Sequence, residues 1–240
     1  MQLTDYKVLT FDVYGTLIDW ETGIHTALKP LWSRLDPVPD RDAVLQAHAF
    51  HESTQQRQNP GRRYADLLAT VYRRLAEQWG LRVSWAECRH YGASVRDWPA
   101  FPDSPAALAE LHKHFRLAVL TNTDNQSFAA SNEKLGVTFD AVYTAEDVGA
   151  YKPADAGFVY MLEKLSTLGL DRSDILHTAE SLFHDHVPAG RHGLATCWIY
   201  RRHAQPGFGA TMDPGSLPQV DYRFTSMADL VEAHRRALTG

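Results

Sequence analysis

The sequence predicts an α/β fold, a parallel sheet with helices on both faces, interrupted near its start by an all-helical insertion. Three observations carry this. Short apolar runs suited to buried strands recur at residues 8–11, 116–120, 141–143, 174–177 and 195–200. From residue 102 onward, stretches of helical spacing separate these runs, the alternation that β-α-β units produce. Between residues 21 and 99 strand-like runs vanish altogether. A chain of 240 residues, 44% of them hydrophobic, can bury one substantial core and a smaller second unit.

Taken in order, the first element is the run Val8, Leu9, Thr10, Phe11, which ends in Asp12 before Tyr14-Gly15-Thr16 turns the chain away. A carboxylate at the end of a hydrophobic strand is costly to desolvate, so it needs a cationic partner or a chemical task; a lone Asp that merely begins a turn is the bland alternative. Helical spacing then takes over, as in Ala65, Leu67, Leu68, Val71, Tyr72, Leu75 and Trp79, with Pro60 and Gly61 as punctuation and Pro99 and Pro102 marking the return. The expected division is a core of residues 1–16 and 100–240 and a helical unit of 17–99.

Asp103 or Ser104 can cap a helix running through His114, followed by the strand 116–120. Residues 125–135 read as helix and 141–143 as a short strand. Residues 154–168 read as a helix with the stripe Phe158, Met161, Leu162, Leu165. Residues 174–177 lead the next strand, then come a helix from about 185 to 192, a strand at 195–200 and a closing helix from about 227 to 238. The Gly/Pro-rich segment 203–218 is long for a compact domain, a property of lids and binding elements.

Composition narrows the function. The formal charge of −5 and the scattered Arg pairs leave no basic footprint for nucleic acid. Cys88 and Cys197 are far apart and suggest neither a disulfide framework nor a zinc knuckle, which fits a reducing cytoplasm. No apolar run approaches 18 residues and the first residues lack a signal-peptide pattern, so neither membrane spanning nor secretion is expected. Small-molecule chemistry is the class that remains.

In an open parallel sheet, ligands bind beyond the carboxyl ends of the strands. Polar clusters follow four of the apolar runs: Asp12 and Tyr14, then Thr121 and Asn122, then Lys152, then Glu180 to Asp185. Each has a bland reading alone. Lys152 suits a surface position before a helix, and Thr121 or Asn122 could cap the next helix, although Thr123 or Asp124 serves for that. Four such clusters on one rim make a site.

These clusters resemble the four motifs of the haloacid dehalogenase (HAD) superfamily, and the resemblance covers nearly the whole chain. It implies a Rossmann-like core with a cap inserted after the first strand, closing over the site and fixing substrate choice. The residues alone fit a rigid second domain equally well. By the resemblance, Asp12 is the nucleophile and Lys152, in its Tyr-Lys-Pro setting, holds it charged and depresses its pKa. Thr121 and Asn122 orient nucleophile and substrate carboxylate, and Asp185 positions or activates the hydrolytic water. Tyr14, Thr16, Trp20 and Glu180 are the expected substrate contacts, with Trp20 either a pocket wall or a hinge-packing residue.

Tyr14 stands where the superfamily's phosphatases carry a second Asp and its 2-haloacid dehalogenases carry Tyr. With a reference pKa of about 10, a Tyr is a poor acid for an alkoxide-like leaving group, whereas a halide needs no proton. The dehalogenase pattern is departed from at Glu180 and Leu182, at Phe158, and in the arginines: Arg41, Arg57, Arg62 and Arg63 are available, but none has the Trp-Arg context that cradles a halide. A nearer likeness is to the azetidine-2-carboxylate hydrolases, through LIDWETGI, HTAESLFHDH and WIYRRH. A protonated ring amine leaves as a neutral amine, helped by ring strain, and Glu52 or Asp19 is a candidate partner for that cation. The expectation is a hydrolase of small 2-substituted carboxylic acids acting through an aspartyl ester, either 2-haloacid dehalogenase-like or ring-opening, with no cofactor. Two alternatives stay open: a phosphatase in which Glu180 and Asp185 help Asp12 hold Mg2+, and a non-catalytic binding protein. Histidines 184, 186 and 192 follow no zinc spacing, and a homodimer is left open.

Overall fold

The computed structural model describes residues 1–239. Its centre is a six-stranded sheet formed by β1 (Val8–Phe11), β2 (Arg116–Thr121), β3 (Ala141–Thr144), β4 (Ile175–Ala179), β5 (Ala195–Ile199) and β6 (Tyr222–Phe224). The order is β3-β2-β1-β4-β5-β6 and every pairing is parallel. Val8 lies opposite Arg116 on one side and Ile175 on the other, and Phe11 opposite Val119 and Thr178. The strand order reverses between β1 and β4, the place where open α/β sheets bind ligands.

The two faces of the sheet can be read in the alternation of side chains. Leu9, Phe11, Leu117 and Val119 join one apolar cluster with Leu108 of α6 (Ser104–Leu111), Phe128 of α7 (Asn125–Leu135) and Leu230 of α11 (Met227–Thr239). Val8, Ala118 and Leu120 join the other, with Phe158 and Met161 of α9 (Asp155–Ser166), which follows the single turn α8 (Ala145–Val148), and Ala189 of α10 (Val187–Arg191). Helices on both faces explain why β1 and β4 are continuous buried runs and not alternating ones.

Between β1 and β2 lies the helical insert: α1 (Trp20–Ala27), α2 (Lys29–Trp32), α3 (Arg41–Gln58), α4 (Tyr64–Gln78) and α5 (Trp85–Gly92). The row predicted on α4 is its buried face, with Leu67, Leu68, Val71 and Leu75 fully buried beside Val44, Leu45 and Cys88; each such leucine contributes about 1.5–3 kcal/mol. Helices α4 and α5 pack so closely that a Cβ at Gly92 would lie 2.2 Å from the Ala65 carbonyl oxygen.

Several expected boundaries are corrected. The helix from Ser104 stops at Leu111, and Asp103 does not cap it. Its carboxylate instead accepts the Met227 N–H at 2.8 Å and pairs with Arg201, so it caps α11 from across the fold. The helix expected from about 185 begins as a single π turn, Leu182–His186, because the Asp185 and His186 N–H groups both reach the Ser181 carbonyl. Such turns are concentrated at functional sites. Strand β6 has no counterpart in the expectation: three half-exposed or exposed residues, Tyr222, Arg223 and Phe224, carry no apolar run. Among the described residues no helix is long and apolar enough to cross a membrane.

Candidate active site

Asp12 continues β1, donating its N–H to the Thr178 carbonyl at 3.1 Å, and its side chain is buried. Gly15, at φ +97°, supplies a turn that side-chain-bearing residues resist, which brings Thr16 back beneath the carboxylate. The Thr16 hydroxyl accepts the Glu180 N–H at 2.8 Å, so its own proton goes to Asp12 Oδ2 at 2.8 Å. Lys152 Nζ spends all three donors: 2.8 Å to Asp12 Oδ1, 2.7 Å to Asp185 Oδ1 and 2.9 Å to the Leu120 carbonyl. The π turn directs Asp185 inward under β4, where Oδ1 also receives His177 Nε2 at 3.0 Å; Thr10 Oγ1 lies 2.9 Å from the other ring nitrogen. Asp185 Oδ2 is buried and has no partner.

The two carboxylates share one ammonium unequally. Burial opposes the charge on Asp185, yet Lys152 and His177 together hold its carboxyl well below the usual range. On Asp12, burial and the Asp185 charge outweigh Lys152 and Thr16, so its pKa is raised. Lys152 does pull the Asp12 carboxyl down, as expected, but burial is the larger effect and leaves it above its ordinary value. Burial likewise opposes the charge on Lys152, but the two carboxylates more than offset it and its pKa is raised, which keeps it cationic.

The other predicted residues divide. Asn122 clamps the Lys152 backbone, receiving its N–H at 2.6 Å and donating to its carbonyl at 3.0 Å, so it positions the lysine. Thr121 is buried, and its hydroxyl meets Thr123 Oγ1 at 3.3 Å. Asp124 caps α7 by accepting the Ser127 N–H. Tyr14 borders the cavity, but its hydroxyl is 2.8 Å from Ser131 Oγ and burial raises its pKa far above the ordinary phenol value. Trp20 stands on the cavity wall. Glu180 contributes its backbone to the Thr16 relay and borders a separate cleft with Glu21, Arg201 and Arg202. Asp19 is the α1 cap, accepting the Thr22 N–H.

The cavity over Asp12 has a volume of ≈ 30 Å³, room for roughly one or two waters. Its sheet-side wall adds Thr123, Ser181 and His184 to the predicted residues, and the insert contributes Glu52 and Gln56 from α3 and Tyr64 from α4. Gln56 and Lys152 also border an adjoining chamber of ≈ 230 Å³ with Ser53, Arg57, Tyr151 and Phe183. The insert's polar wall had a signal in the sequence: His48, Glu52 and Gln56 recur every four residues on one buried face of α3. His177 was likewise visible as the one ionisable residue within the run ILHTA. Arg202 ties the segment after β5 to the insert through Glu21 at 2.5 Å and Asp42 at 3.2 Å.

A divalent ion would need several oxygen ligands converging on one point. Lys152 Nζ already lies between Asp12 Oδ1 and Asp185 Oδ1, and Glu180 borders another cleft and not the cavity over Asp12. The unpartnered Asp185 Oδ2 alone is no ligand set, and among the described residues no three His, Cys, Asp or Glu side chains group to hold a metal. The residues do not fit Mg2+.

Residues 6–178 match the family model described as haloacid dehalogenase-like hydrolase. The chain is similar to the HAD-hydrolase YfnB of Bacillus subtilis, 23% identical over 81% of this chain and 84% of that one, whose crystal structure is bound to magnesium and has a TM-score of 0.73. It is 28% identical to the pyrimidine 5'-nucleotidase YjjG of Escherichia coli across 50% of this chain and 54% of that protein. An L-2-haloacid dehalogenase from Xanthobacter autotrophicus with chloropropionic acid covalently bound has the same fold, with a TM-score of 0.77 and 17% identity over 96% of this chain and 98% of that one.

Proposed function

Since the chain belongs to the haloacid dehalogenase-like hydrolases, we propose that it cleaves a carbon-halogen or strained ring carbon-nitrogen bond in a small 2-substituted carboxylic acid, with Asp12 as nucleophile. The observation that carries this is a buried carboxylate held from both sides by Lys152 and Thr16 in a cavity with no metal-ligand set and no free acid at position 14. An Asp12 oxygen forms an ester bond to the substrate carbon, and the bond to the leaving group breaks with its electron pair departing on that group. Water then adds to the aspartyl carbonyl and releases the hydroxy acid. Asp185, too strongly acidic to hold a proton, positions that water through its free Oδ2. With the Tyr14 hydroxyl committed to Ser131, the leaving group departs without a proton from that residue.

The cavity is smaller than any such acid, so the cap, residues 17–99, moves to admit substrate; the magnesium-bound structure of YfnB is described as revealing interdomain movement. The test is a side-by-side assay of an L-2-haloacid, L-azetidine-2-carboxylate and an aryl phosphate, with and without chelator. The expected result is hydrolysis of one of the two carboxylates, unchanged by chelator. Magnesium-dependent release of phosphate with neither carboxylate touched would establish the phosphatase reading that the similarity to YjjG suggests. Binding without turnover of either would make the protein a binder.

A further inference from the structure

We propose that Glu52 is a charge filter which selects substrates carrying a cationic nitrogen at the attacked carbon over substrates that release an anion. This rests on the reading of Asp12 as nucleophile and names the substrate class for that site. Glu52 is 3% exposed, lines the same cavity as Asp12 and is held at Oε1 by the Tyr64 hydroxyl at 2.6 Å. Among the described residues no Lys, Arg or His nitrogen lies within 4.0 Å of its carboxylate; buried Glu180 is likewise unpaired but does not border this cavity, whereas buried Asp12 and Asp185 share Lys152 and buried Glu21 has Arg202. The titratable groups that bear on it are Tyr64 of α4, Tyr91 of α5 and Tyr151 beside the adjoining chamber, with Asp12, Tyr14, Lys152, His184 and Asp185 in the shared cavity. None of the tyrosines supplies a positive charge.

A buried carboxylate without a cation is destabilised, and a ligand bringing one relieves it. Burial pushes Glu52 up to about 7 in the free protein, against the Tyr64 hydrogen bond. A departing halide, by contrast, would meet three acidic side chains and one ammonium whose donors are all in use. For a strained cyclic amine the balance is complete. The Asp12 oxygen bonds to carbon, the carbon-nitrogen pair goes to a nitrogen that was cationic and is now neutral, and water regenerates Asp12 while its spare proton ends on that amine.

Affinity isolates the filter from turnover. In the Asp12→Asn background, where the nucleophile carries no charge, L-azetidine-2-carboxylate is expected to bind at least about tenfold tighter than cyclobutanecarboxylate, its neutral-ring analogue. Glu52→Gln in that background should shrink the difference to within about twofold, and Glu52→Asp should keep part of it. The preference should grow as pH rises through about 7, because only ionised Glu52 attracts the cation. Equal affinities, no measurable binding of either acid, or a preference that survives Glu52→Gln would overturn the proposal. If wild-type Asp12 takes up heavy oxygen with a haloacid while the cyclic amine binds no better than its analogue, the nucleophile reading stands and the filter falls.

Discussion

Asp12→Asn is expected to lower kcat by roughly 10⁴-fold or more on whichever carboxylate the wild-type protein hydrolyses, because an amide cannot form the ester that divides the reaction in two. The protein should stay folded. Asparagine fills the same space and its single amide oxygen can accept either Thr16 or Lys152, while Lys152 keeps Asp185 and the Leu120 carbonyl. One of two acids competing for a single ammonium is removed, so thermal denaturation should show an unchanged or slightly higher Tm. A variant that loses activity only because it unfolds would not support the assignment.

Lys152→Met is expected to have the second large effect, on folding as well as turnover. It leaves buried Asp12 without a cation and buried Asp185 with only the His177 ring, a change that costs about 3–5 kcal/mol where one partner of a buried pair is deleted. For a chain of this size that lowers Tm by roughly 10 °C. The sign with pH follows from the acids: once the ammonium is gone both carboxylates become easier to protonate. The destabilisation relative to wild type should therefore be greatest at neutral pH and shrink on acidification. Lys152→Arg should not restore turnover, because a planar fork cannot direct three donors as the ammonium does. Equal stability of Lys152→Met and wild type across pH would show that the three groups are not the charged cluster described here.

How much of this was legible depends on what each residue does for the backbone. Strands β1, β2 and β4 announce themselves because burial on both faces demands unbroken apolar runs, the partly buried β3 and β5 still carry short ones, and the rim was legible because polar residues follow those runs. Strand β6 was not, since a three-residue edge strand needs no such run. Asp103 looked like a cap for its own helix and caps a distant one, a partnership no local pattern reveals. Glu180 sits in the right motif, but it borders the cleft with Arg202 and gives the site its backbone N–H, through Thr16. Lys152 stands beside Asp12 as the resemblance implies and lowers its pKa, but burial outweighs it, and that the ammonium also serves Asp185 depends on a π turn which hydrophobic periodicity does not encode.

The central claim is a covalent bond between the Asp12 carboxylate and a substrate carbon. A single turnover in heavy-oxygen water, with enzyme in excess over the hydrolysed acid, tests it through mass spectrometry of the peptide that contains Asp12. The account predicts one heavy oxygen in that side chain and an unlabelled hydroxyl in the product. Label in the product hydroxyl with none in Asp12 would mean that water attacks the substrate directly, and would contradict it.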